Sequence, residues 1–430
     1  MTSSFSPVRP ETVFTYGAPL LKFGVGASAE LSFELSQFDA RRVLLVTDPG
    51  VAATGAPATI AEQLRSAGID VVVFDRTRVE PTDGSLNEAV DFGRQNGSFD
   101  AIVAVGGGSS IDTAKAVNLL VTNEGELMDY INAPVGRAKA PTKPLLPLIA
   151  IPTTTGTGSE STTICVLDVV SQHVKTGISH ARLRPMLAIV DPQLSMTQPA
   201  GVTAAAGMDI LCHALESYTA RPFTSYEAKE AKARVPYCGA NPVADMWSEK
   251  ALSLMSGAFR TAVREGDNLE ARTNVAMAAT FAGLGFGNAG VHIPHANAYP
   301  IAGQVTDFYP TGYNSDHAMV PHGMAVSLTA PEAFRFTFDA SPDRHVHAAE
   351  LLAPDAERPD DLADFLPQVL KRLMRDIDIP AGIGAVGFDE SNIEDLVDGT
   401  MKQQRLLATA PKEVTEEDVA RILNASIELW

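Results

Sequence analysis

From Arg41 the chain alternates short aliphatic runs with amphipathic stretches, and no other feature narrows its fold as far. RRVLLVTD is followed by ATIAEQLRSAG, IDVVVFD, LNEAVDFGRQNG, DAIVAVGGG and SSIDTAKAVNLLV. Short runs bounded by Gly, Asp and Pro, and separated by segments of helical period, predict βαβ units around a parallel sheet buried on both faces. Residues 140–192 keep the short runs (LLPLIAIPTTT, TICVLDVV, MLAIVDP) without helical segments between them. From Gly201 onward helical patterns dominate, as in MDILCHALESY, LEARTNVAMAATFAGLGF and DFLPQVLKRLMRDI. The predicted organisation is therefore an α/β unit over residues 1–200 and an α-helical unit over 201–430, with the binding cleft between them. Residues 221–245, polar and broken by prolines, are expected as an ordered loop between two helices.

Charge excludes some partners. The 33 basic and 52 acidic side chains leave a formal charge of −19, a surface that repels phosphate backbones and anionic lipid, so neither nucleic acid nor membrane is expected as a partner. Apolar runs such as AIVAV and LLPLIAI fall far short of the roughly 20 residues that span a bilayer. Cys165, Cys212 and Cys238 form no CxxC and no disulfide framework, which fits a reducing compartment. The opening MTSSFSPVRPETVF has no apolar signal region and a single Arg, so a cytoplasmic location is expected.

Three glycine clusters compete for a phosphate site. Gly24, Gly26 and Ala29 fit GxGxxA, and Gly285, Gly287 and Gly290 fit GxGxxG, but neither is expected in a strand-turn-helix setting. Gly106, Gly107 and Gly108 fit neither pattern, yet they directly follow AIVAV and precede SSIDTAKAVNLL. Glycines there let backbone amides approach a pyrophosphate, and the helix dipole favours its charge. Ser109, Asp112 and Lys115 lie on the first turns of that helix and strengthen the assignment. A second cluster, Thr153, Thr154, Thr155, Gly156, Thr157, Gly158 and Ser159, follows LLPLIAIP and concentrates hydroxyl and amide donors suited to phosphate and ribose oxygens. Asp48 ends RRVLLVTD, where a carboxylate can bond a ribose hydroxyl and repel a 2'-phosphate.

Among nine histidines, one constellation has metal-ligand character. Asp209 and His213 are four apart in a helical stretch and share a face; His292 and His295 are three apart; His322 sits in PHG at a predicted turn into a helix. A carboxylate with imidazoles and no thiolate suits Fe(II) or Zn(II). The histidines at 173, 180, 317, 345 and 347 have no comparable partners and are read as structural.

Together GGGSSIDTAK, PTTTGTGSE, DPQLSMTQP, GMDILCHALESY and PHG resemble the iron-containing (group III) alcohol dehydrogenase family, in order and over almost the whole chain. The resemblance implies the dehydroquinate synthase-like fold of that family, an α/β dinucleotide-binding domain facing an all-α metal-binding domain. It also implies NAD at Gly106, Gly107, Gly108, Ser109, Asp112, Thr153, Thr154, Thr157 and Ser159, with Asp48 selecting NAD over NADP. One divalent metal, Fe(II) ahead of Zn(II), would be held by Asp209, His213, His295 and His322. The family's HAMAH segment aligns on His295, leaving His292 to face the substrate and placing Tyr299 where the family's second His stands. GFGNAGVH, HANAYPIAG, YCGANPVADMW and NASIELW resemble the branch of hydroxyacid-oxoacid transhydrogenases.

That likeness implies metal-assisted hydride transfer through NAD from a 4-hydroxybutyrate-like hydroxy acid to a 2-oxoglutarate-like oxoacid. The alternative on the same scaffold is an NAD-dependent alcohol dehydrogenase or aldehyde reductase that releases cofactor each turnover. Small carboxylates, alcohols or aldehydes are the expected substrates, and a homo-oligomer the expected assembly. Lys175, Arg182, Arg184 and Arg221 are the candidate carboxylate-binding cations.

Overall fold

The computed structural model describes residues 9–430 except 173, 314 and 316, so His173 lies outside the described residues. Six strands form one sheet: β1 (Leu20–Phe23), β2 (Arg42–Val46), β3 (Asp70–Phe74), β4 (Ala101–Gly106), β5 (Leu148–Pro152) and β8 (Leu187–Val190), in the order β1-β8-β5-β4-β2-β3. Every pair in it is parallel. An antiparallel hairpin of β6 (Ile164–Val169) and β7 (Val174–Ser179) stands apart from it.

Side-chain alternation explains why both faces are covered. Val43, Leu45, Val103, Val105, Ile149 and Ile151 point into one core with Ile60 and Leu64 of helix α1 (Ala56–Ser66). Leu44, Val46, Ile102, Ala104 and Ala150 point into the other, with Leu86 and Val90 of α2 (Asp83–Gln95) and Ile111 and Val117 of α3 (Gly108–Thr122). The strand order reverses between β2 and β4, so the carboxyl ends of these two strands frame the crevice in which such sheets bind ligands. Asp48 and Gly106–Gly108 occupy those two ends.

After β8 the chain becomes helical. Helix α4 (Ala200–Thr219) is buried along nearly its whole length against α5 (Pro242–Arg264) and α6 (Leu269–Ala289), which explains its largely apolar sequence. Gly207 fits this packing closely, since a Cβ there would lie 2.0 Å from the Phe259 ring. Helices α7 (Ile293–Gln304), α8 (His322–Ser327), α9 (Ile393–Met401) and α10 (Gln404–Leu407) complete the surroundings of the cleft. Among the described residues no helix is long and apolar enough to cross a membrane.

Two of the glycine clusters take positions other than those expected. Gly24 and Gly26 do follow a strand, β1, which a four-residue run with two exposed leucines conceals in the sequence. The amides there are already occupied, because Asp191 accepts from Gly26 N (3.1 Å), Ser28 N (3.2 Å) and Ser28 Oγ (2.7 Å). Gly285 and Gly287 lie inside α6 rather than after a helix, where Gly285 abuts Ser248 and Ser217. Close packing explains Gly285, and the positive φ of Gly24 (149°) and Gly26 (84°) explains those two, without any ligand.

Candidate metal and cofactor site

A cavity lies where the carboxyl end of the sheet meets the helices. Gly108, Ser109, Thr157 and Ser159 line one end of it, and Asp209, His213, His295 and His322 line the other.

At the sheet end, β4 runs straight into α3, whose first-turn amides have no carbonyl partners within the helix. A Cβ at Gly107 would lie 3.0 Å from Thr154 Oγ1, and one at Gly108 would lie 2.8 Å from Thr157, so glycine is what lets the two loops approach. Lys115, fully buried, ties them together. Its Nζ donates to Asp112 Oδ1 (3.2 Å), Ser159 O (2.8 Å), Ser159 Oγ (2.8 Å), Thr162 Oγ1 (3.0 Å) and Ile164 O (2.7 Å). Asp112 also accepts from Ser159 Oγ (2.5 Å) and Val166 N (2.9 Å). Asp112 and Lys115 thus organise the cradle from beneath.

Asp48 is engaged as well, capping the short Pro49–Ala52 helix through Val51 N (2.9 Å) and accepting from Ser110 Oγ (3.0 Å). Thr154 lines a separate small cavity beside Asp191, while Thr153 is buried with no partner for its hydroxyl.

At the helical end, Asp209, His213 and Glu216 stand at i, i+4 and i+7 on α4 and share one face. Gly323 brings α8 against them, since a Cβ there would lie 2.1 Å from Ala205 O and 2.6 Å from Asp209 Cβ. Asp209 Oδ1 lies 3.7 Å from His213 Nε2, 3.5 Å from His295 Nε2 and 3.8 Å from His322 Nε2. One donor atom each from Asp209, His295 and His322 falls within 4.8 Å of the others.

Buried and without hydrogen-bond partners, Asp209 Oδ1 and His295 Nε2 are polar atoms converging on an ion-sized space. Glu216 explains why that His nitrogen is available: its Oε1 accepts from His295 Nδ1 (2.6 Å), and its Oε2 accepts from His292 N (2.5 Å). A carboxylate behind a histidine fixes the tautomer that a metal requires. The donor set and its orphaned atoms fit a divalent ion.

The charges of the cluster act strongly on one another. Burial opposes the Asp209 charge, but His213, His322 and His295 outweigh it and hold this carboxyl far below the usual range. Burial likewise opposes an imidazolium at His295, yet Glu216 and Asp209 prevail and raise it to about 9. Burial dominates at His213 and lowers it to about 3.

The other expected site residues divide. Tyr299 lines the cavity, its ring 6.2 Å from that of His322. His292 does not: it is fully buried, its Nε2 3.1 Å from Thr219 Oγ1 and its ring edge-on to Phe334. Of the four candidate cations only Lys175 reaches the cavity, where it pairs with Glu80 and, at 3.4 Å, with Asp168. Arg182 binds the carbonyls of Pro141 and Lys143, Arg184 those of the Ser161 and Asn288 region, and Arg221 binds Ser225. Sequence reasoning missed Glu216, whose spacing from Asp209 and His213 was a usable signal. It also missed Arg405 of α10, which lines the cavity and gave no signal at all.

Comparison with known proteins is consistent with this geometry. The profile described as iron-containing alcohol dehydrogenase matches residues 19–192, and that of the Fe-containing alcohol dehydrogenase family, C-terminal, matches residues 203–427. The chain is 41% identical to a Bos taurus protein named hydroxyacid-oxoacid transhydrogenase, mitochondrial, over 97% of this chain and 90% of that one. It superposes on 1,3-propanediol oxidoreductase with a TM-score of 0.83 and 31% identity, covering 96% of this chain and 100% of the other. It also superposes on the sulfoacetaldehyde reductase of Bifidobacterium kashiwanohense, solved in complex with NAD+, with a TM-score of 0.79 and 26% identity over 96% and 99% of the two chains.

The mitochondrial setting of the Bos taurus relative overturns the expected cytoplasmic location. Free thiols distinguish intracellular from secreted proteins but do not separate one reducing compartment from another. With both family profiles matched in order and the fold shared along its length, the chain belongs to the iron-containing alcohol dehydrogenases, a family of oxidoreductases.

Proposed function

We propose that this protein is a hydroxyacid-oxoacid transhydrogenase that works with NAD and one divalent metal ion, Fe(II) ahead of Zn(II). The observation that carries the reading is the meeting, in one cavity, of the Gly108–Ser109 helix start with Asp209, His213, His295 and His322. The 41% identity to a relative of that name supports the specific activity. In this reading residues 1–200 and 201–430 are two domains that close on the cavity from either side, and family likeness supports a homo-oligomer.

Asp209, His213, His295 and His322 would hold the ion, which supplies Lewis acidity at the substrate oxygen while the nicotinamide carries the hydride. The chain's part is placement. Glu216 keeps His295 Nε2 turned toward Asp209, and the α3 amides with Thr157 and Ser159 seat the pyrophosphate and the nicotinamide side of the dinucleotide. Asp48, at the carboxyl end of β2, stands where a ribose hydroxyl would be read. Burial raises the Tyr299 phenol above its ordinary value of 10, so it stays a donor at neutral pH and holds a substrate oxygen or water in place of an imidazole.

The test is to incubate metal-loaded protein with 4-hydroxybutyrate and 2-oxoglutarate and no added NAD. Formation of succinic semialdehyde and 2-hydroxyglutarate in equal amounts is expected, since the hydride lost by one substrate is gained by the other. Turnover that appears only when NAD is supplied would instead identify an alcohol dehydrogenase that releases its cofactor.

A further inference from the structure

We infer that Arg405 anchors the carboxylate of the hydroxy acid and oxoacid substrates and is the residue that selects acids over neutral alcohols; this rests on the proposed reaction and goes beyond it. Three observations carry the inference.

The first is charge. In a chain with 19 more acidic than basic side chains, the other cations at the cavity are already neutralised. Lys115, beneath the wall, is bound to Asp112, and Lys175 is bound to Glu80 and Asp168. Among the described residues Arg405 makes no ion pair, although it lines the same cavity as Asp209 and His322.

The second is how its guanidinium is held. One Nη donates to Ser179 Oγ (2.5 Å), and the group lies 5.4 Å from the centre of the Tyr237 ring, itself part of the cavity wall. One hydrogen bond and one aromatic face fix the plane of the fork, and most of its five N–H groups stay free for a bidentate carboxylate. The third is rigidity of the support. Arg405 sits on α10, beside Gln403, whose side chain donates to Lys175 O (3.4 Å). The helical half therefore grips strand β7 at both ends, through Lys175 and Ser179, and Arg405 is held across the cleft.

Both proposed substrates carry a carboxylate remote from the reacting carbon. With that oxygen-bearing carbon at the Asp209–His322 end, a cation at another wall of the cavity meets the remote carboxylate. An ordinary alcohol has nothing to offer it.

The experiment compares Arg405→Met and Arg405→Lys with the wild type, each loaded with metal and NAD, in the single-turnover reduction of bound NAD, read as NADH absorbance, by 4-hydroxybutyrate and by butan-1-ol, which replaces the carboxylate by a methyl group. Arg405→Met should raise the half-saturating concentration of 4-hydroxybutyrate in that single turnover by about 10- to 100-fold with little change in the limiting rate, the loss expected for a charge-assisted bond. Butan-1-ol oxidation and NAD affinity should be unchanged, and calorimetric binding of 2-oxoglutarate should weaken in parallel with the hydroxy acid. Arg405→Lys should fall between, keeping the charge and losing the fork. Equal losses on both alcohols together with weaker NAD binding would overturn the inference and assign Arg405 to the cofactor. A wild type that prefers the acid and a Met variant that keeps the preference would overturn the inference alone. A wild type without preference for the acid would overturn the transhydrogenase reading and the anchor together.

Discussion

The two ends of the cavity are built on opposite terms. At the sheet end Lys115, Asp112 and Asp48 are satisfied by the chain itself: Lys115 has five acceptors, Asp112 has three donors, and Asp48 has two. What stays unpaired there is neutral, the hydroxyls of Thr153 and Ser161. At the helical end the unpaired atoms include Asp209 Oδ1 and His295 Nε2, on a carboxylate and a raised imidazole that cost far more to bury alone than a hydroxyl. The sheet end is a finished piece of protein, and the helical end leaves buried polar atoms unpaired.

The sharpest way to break this contrast is Asp209→Ala. Loss of the central carboxylate should lower turnover by about 10³-fold or more, because several kcal/mol of oxygen polarisation disappear. Elemental analysis should find the variant nearly metal-free. Next in size is Lys115→Met, which leaves Asp112 buried without its counter-ion; denaturant unfolding should report a loss of about 3–5 kcal/mol. A variant of normal stability that merely fails to bind NAD would show that the sheet end is not self-sufficient.

Glu216→Gln should weaken metal affinity by about 10- to 100-fold in a folded protein, the usual effect of losing the carboxylate behind a ligating histidine. The smallest effect concerns acid. Burial holds His292 and His345 at about 4, below their ordinary 6.5. The unfolded chain therefore takes up protons that the native state refuses, so stability present above 6.5 declines as pH falls toward 4. His345→Gln should flatten that decline in melting temperature against pH, and an unchanged profile would remove His345 from the account.

The same contrast governs what the sequence discloses. The sheet end is local: β4, Gly106–Gly108 and α3 are consecutive, so the βαβ pattern places the glycine turn directly. The metal end joins α4, α7 and α8 across more than a hundred residues, yet Asp209 and His213 stand out because helical spacing puts them on one face. Glu216 obeys the same spacing and escaped because its partner, His295, lies on another helix. Strand β1 was hidden by its brevity and its exposed Leu20 and Leu21, and β7 by Lys175, Thr176 and Gly177 within its run. Lys175 was found and Arg405 was not. Whether a cation faces a cleft depends on how a four-residue helix docks on a distant strand, and no periodicity records that. His292 shows the converse error, since proximity in sequence to His295 suggested a substrate contact while the turn into α7 buries its ring on Phe334.

Hydrogen exchange on metal-free protein, with Fe(II) or NAD added separately, tests the contrast most directly. Metal should increase protection in residues 205–220, 293–300 and 322–327, while residues 106–122 and 153–164 are already protected before any ligand is present. Strong protection of the Asp209 region without metal, or a sheet end that gains protection only when NAD binds, would contradict it.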